Sequence, residues 1–72
     1  MKGNFFYNRL GEKIIAVRKK KSLSQEQLAL LSDVNRTYLS KIEKGKANPS
    51  VKILSKIAKT LKVRVKDLLD GV

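Results

Sequence analysis

The chain has 72 residues, 17 Lys and Arg against 6 Asp and Glu, a net charge of +11, and neither Cys nor His. That length allows at most one domain with a modest core, and the missing Cys and His remove disulfides, thiolate chemistry, the usual general base and the commonest metal ligand. A chain this basic is drawn to a polyanion, nucleic acid or anionic lipid, and its charge exceeds the magnitude of roughly 2–8 that suffices for solubility.

The predicted elements are helices throughout. Leu10, Ile14 and Val17 recur at i, i+4 and i+7 and predict a first helix from about Asn8 to Lys20. Lys19, Lys20 and Lys21 follow at its end, where cations suit the helix dipole. Ser24 and Gln27 form a capping-box pattern that opens a second helix. Its inward residues are Leu28 and Ala29, with Leu31 a further candidate, and Ser32-Asp33 closes it. Val34 falls in the turn as a buried residue. Asn35 is an N-cap for a third helix, in which Leu39 and Ile42 face inward and Gly45 stands at the C′ position. After the loop Lys46-Ala47-Asn48-Pro49, Ser50 caps a fourth helix with the stripe Val51, Leu54, Ile57, Ala58 and Leu61. A short fifth helix, about Arg64 to Leu69, carries Val65, Leu68 and Leu69. The expected fold is all-α: a compact five-helix bundle forming one domain over residues 1–72.

The longest apolar runs, such as Ile14–Val17, are four residues, against ~20 for a membrane span. The opening MKGNFFYNRLGEK is not apolar enough for a secretory signal. The expected location is therefore the cytoplasm, on the nucleoid. Charge is also uneven: from Arg36 to Lys66 there are ten basic residues and one acid, Glu43. Within Ser24–Pro49, two short helices meet at a tight turn, and the second opens with Asn35, Arg36 and Thr37, side chains able to hydrogen-bond base edges. That is the layout of a helix-turn-helix DNA reader.

The order LGEKI…R…LSQEQLA…V…TYLSKIEKGKANPSVKILSKIAKTL…V…DLL resembles the phage repressor/Cro-like helix-turn-helix proteins, the XRE family, from about Leu10 to Leu69. The resemblance rests on co-ordinated positions: Ser24-Gln25, Leu28-Ala29, Val34, Leu39, Ile42-Glu43, Gly45, Pro49, Leu54, Ile57-Ala58 and Leu61. It implies a lambda repressor-like domain with the third helix in the major groove and the second across the sugar-phosphate backbone, bound as a homodimer to a near-palindromic operator. The segment Asn35–Ser40 also resembles the reading helix of restriction–modification controller proteins.

In that docking mode Arg36, Thr37, Ser40 and Lys41 are the expected base readers. Arg36 offers a planar fork to the O6 and N7 acceptors of guanine, with a phosphate as the alternative. Thr37 brings a hydroxyl and a methyl; its alternative is a hydrogen bond to its own helix start. Lys41 reaches a guanine or a phosphate. Gln25, Asn35, Tyr38, Lys44, Lys46 and Asn48 are the expected phosphate contacts, with Asn35 weighted towards capping and Tyr38 having partial packing as its alternative. Arg18 and Glu43 are expected, from the resemblance, to form a buried structural ion pair.

Phe5, Phe6, Tyr7, Val65, Leu69 and Val72 are left over from the core stripes, with Ile15, Val51 and Ile53 further candidates for exposure. The resemblance implies a dimer contact through Val65, Leu68 and Leu69; the alternative is that Phe5, Phe6 and the C-terminal residues fold back onto the monomer core. The leading function is a sequence-specific transcription regulator on double-stranded DNA. The alternatives are an autoregulating antitoxin and a non-specific nucleic-acid-binding structural protein. RNA polymerase or a toxin are the candidate protein partners; no catalytic residue, metal, cofactor or membrane is expected.

Overall fold

The computed structural model describes residues 2–71, and side chains from Phe5 to Gly71. Val72, among the leftover apolar residues, lies outside the described residues. Five helices follow in chain order: α1 (Lys2–Lys20), α2 (Gln25–Ser32), α3 (Arg36–Glu43), α4 (Val51–Leu61) and α5 (Val65–Leu69). There is no strand among the described residues.

The helix starts follow the predicted caps. Ser24 Oγ accepts from the Gln27 amide while the Gln27 side chain accepts from the Ser24 amide, a complete capping box. Asn35 Oδ1 accepts from the Tyr38 amide at 3.1 Å, and Ser50 Oγ from the Ile53 amide at 3.1 Å. At α5 the cap works in one direction: Asp67 Oδ2 accepts from the Arg64 amide.

One apolar cluster joins all five helices. Leu10 and Ile14 come from α1, Leu28 and Ala29 from α2, Leu39 and Ile42 from α3, Leu54, Ile57, Ala58 and Leu61 from α4, and Leu68 from α5; Val34 enters from the turn. α1 packs on α3 and α5, α2 on α3 and α4, and α4 on α5. Among the described residues no helix is long and apolar enough to cross a membrane.

The structure departs from the expected elements in four places. α1 begins at Lys2, not near Asn8. Phe5 and Phe6, near its start, are exposed. The Arg9 guanidinium lies 5.6 Å from the centre of the Phe5 ring, one turn away, and Arg9 Nη2 also donates across the fold to the Gly71 carbonyl at 2.9 Å. Leu31 is not inward but 63% exposed. Ser32 takes the inward position, and its hydroxyl is satisfied by the Leu28 carbonyl at 2.6 Å. Val51 drops out of the α4 stripe and is exposed, because it sits a turn before Leu54, beyond the edge of the core. Leu68, assigned to the dimer contact, is fully buried in the core of its own chain and is not available to a partner.

Candidate nucleic-acid interface

α3 has two faces. Leu39, Ile42 and Glu43 are buried, while Arg36, Thr37, Lys41 and the following Lys44 are exposed and Ser40 is half-buried. The outward positions recur at i, i+1, i+4, i+5 and i+8, so they run as one stripe along the helix. The stripe contains the four expected base readers and is uniformly polar or basic. Arg36, Thr37 and Ser40 line one open cleft together with Gln25 from the start of α2. Lys41 lies outside that lining, further along the stripe.

The expected phosphate contacts fall into two groups. Lys44, Lys46 and Asn48 are exposed around the end of α3. Gly45, with φ +75°, turns the chain there, and the Lys46 amide donates back to the Lys41 carbonyl at 2.8 Å, holding the basic loop against the helix end. The other three have structural duties as well. Asn35 caps α3 with its side-chain oxygen, which leaves its amide group outward. Tyr38 is half-buried against the core. Gln25 donates from Nε2 to Glu43 Oε1 at 2.9 Å.

That last bond adds a third member to the expected Arg18–Glu43 ion pair. Arg18 Nε donates to Glu43 Oε2 at 2.8 Å and Arg18 Nη2 to Oε1 at 3.1 Å. Arg18 Nη1 also donates to the Leu23 carbonyl at 3.0 Å. One buried carboxylate on α3 therefore holds a guanidinium from α1 and an amide from α2. Gln25 and Glu43 are eighteen residues apart, so no helical spacing links them. The family resemblance implied the ion pair, and the single acid in a basic stretch marked Glu43 as unusual, but neither pointed to Gln25 as the third member.

Residues 14–68, from within α1 to α5, match the helix-turn-helix family profile. The chain belongs to the helix-turn-helix family. This helix-turn-helix chain is 49% identical over 61 residues to the control protein C.BamHI of Bacillus amyloliquefaciens, covering 83% of its own length and 75% of that protein's. The restriction-modification controller protein C.AhdI of Aeromonas hydrophila has a similar structure, with TM-score 0.84 and 34% identity, covering 86% of this chain and 94% of that one. The biofilm master regulator SinR, solved in complex with DNA, superposes with TM-score 0.82 and 40% identity over 85% of this chain and 98% of that one. The chain spans 41%, 39% and 50% of three longer regulators that it also matches.

Proposed function

We propose that this helix-turn-helix chain is a transcription regulator that recognises double-stranded DNA by placing α3 in the major groove. The observation that carries this is the outward stripe Arg36, Thr37, Ser40, Lys41 and Lys44, beside the Gln25 end of α2. Arg36 and Thr37 stand at the start of α3, the end that meets base edges in this docking mode. Gln25, Lys44, Lys46 and Asn48 flank them as phosphate contacts, while Arg18 and Glu43 keep the three helices in register. Asn35 and Tyr38 add phosphate contacts only with the groups that capping and packing leave outward.

The operator is near-palindromic and the chain binds it as a homodimer. Leu69, partly exposed, and Val65, half-buried on α5, form the centre of the contact. The likeness to C.BamHI and C.AhdI, most of whose length this chain spans, favours a controller that acts by occupying a promoter-proximal site in the cytoplasm.

The test is selection of bound sites from random duplex DNA, followed by competition at physiological salt. A specific regulator enriches a near-symmetric site that outcompetes random DNA by ~10³-fold or more. Equal affinity for enriched and random duplexes would reduce the protein to a non-specific nucleic-acid binder.

A further inference from the structure

Gly11 sits buried in the middle of α1, a position where glycine weakens a helix. The reason for a glycine lies across the α1–α3 contact. A β-carbon on Gly11 would stand 2.6 Å from the Ile42 carbonyl oxygen and 2.8 Å from the Glu43 carbonyl carbon, with the Glu43 oxygen nearer still. All three are backbone atoms of the last turn of α3, so no rotamer change can move them aside. One turn earlier in α1, Asn8 fits against Gly45 in the same way: a β-carbon on Gly45 would meet the Asn8 Cα at 2.8 Å. The reading helix thus rests its C-terminal end directly on the backbone of α1.

We propose that Gly11 is a specificity-determining position: the absence of a side chain there sets the depth and tilt of α3, and so decides whether Arg36, Thr37, Ser40 and Lys41 reach base edges. This rests on the DNA-reading function proposed above. α3 is eight residues, about 12 Å, long. Its far end is seated at Gly11 and tied by Glu43 to Arg18 and Gln25; its near end carries Arg36 and Thr37. Real β-carbons essentially never come within 3.0 Å of such atoms, so a methyl group at position 11 must move α1 and the last turn of α3 apart by several tenths of an ångström. A base-reading hydrogen bond is made near 2.7–3.2 Å and is lost by about 3.6 Å. Carried along the short helix as a change of tilt, a displacement of that order stretches such a bond towards that limit. Lysine contacts to phosphate run through flexible four-carbon stems and point charges, and they follow the helix. Sequence preference should fall while attraction to any duplex remains.

The test compares Gly11→Ala with the parent, both in a Lys62→Gly background chosen to relieve a strained backbone position and add stability. Folding is followed by far-UV circular dichroism and thermal melting. Affinities for the duplex selected by the parent chain and for a random duplex are measured well below each melting temperature. The expected result is a folded Gly11→Ala chain whose preference for the selected duplex falls about tenfold or more, the size of a lost base contact. Its affinity for random DNA should stay within about threefold of the parent. Unchanged preference in a folded chain overturns the proposal. So does failure to fold even in this background, because the contact would then carry the whole fold. Arg36→Ala, run alongside, separates the two levels. If Arg36→Ala loses preference and Gly11→Ala keeps it, only the role of Gly11 fails. If neither changes it, both the reading function of α3 and the role of Gly11 fail.

Discussion

Arg18 and Glu43 face each other across the α1–α3 contact in a two-pronged ion pair, Nε 2.8 Å from Oε2 and Nη2 3.1 Å from Oε1. The carboxylate is almost wholly enclosed, its side chain 3% exposed, and it also receives the Gln25 amide. A buried pair of this kind adds little over an apolar replacement, but removing one partner strands the other charge without water. Arg18→Ala should therefore destabilise the fold by roughly 3–5 kcal/mol, which for a domain of this size is a fall of ~12 °C or more in Tm. Thermal melting followed by circular dichroism checks it, and a shift of a degree or less would mean the pair carries no such weight.

Arg36 and Lys46 should separate reading from holding. Arg36→Ala is expected to lose roughly 1–3 kcal/mol of preference for the selected site while keeping most of its affinity for random DNA. Lys46→Ala should weaken binding to every duplex and flatten the dependence of log K on log salt by about one unit. Titrations across a salt series measure both. Equal losses on selected and random DNA for Arg36→Ala would remove that residue from the base-reading set.

Lys62 ends α4 in the left-handed conformation, φ 61° and ψ 39°, which suits glycine and strains a residue with a β-carbon. Lys62→Gly should raise stability by roughly 0.5–1 kcal/mol, and Tm by about 2–8 °C. A lower Tm would show that the lysine stem makes packing worth more than the backbone strain.

Leu69 supplies apolar surface on α5 for the proposed contact between copies, now that Leu68 is known to belong to the core. Leu69→Glu should leave the monomer folded and shift the assembly towards it, with weaker, less cooperative binding to a two-half-site duplex. Sedimentation over a range of micromolar concentrations gives the assembly state. An unchanged dimer population in Leu69→Glu would move the contact elsewhere.

The sequence by itself determined the parts whose causes are short-range. Ser24 with Gln27, Asn35 and Ser50 start their helices because a side-chain oxygen three residues before an unpaired amide satisfies it wherever the helix lies. The periods of Leu10–Ile14 and Leu54–Ile57–Ala58–Leu61 announced the buried faces, and the outward stripe of α3 followed by subtraction. Only tertiary structure decided the rest. Whether Ser32 or Leu31 turns inward, and whether Leu68 meets its own core or a partner, depends on which helix packs there. Near the start of α1, Phe5 and Phe6 are helical yet exposed, so no buried period marks them in the sequence. Gln25 joins Glu43, and Gly11 meets the carbonyls of α3, across separations that no local pattern spans. Both contacts run between separate helices, and how helices pack on one another is a property of the tertiary structure.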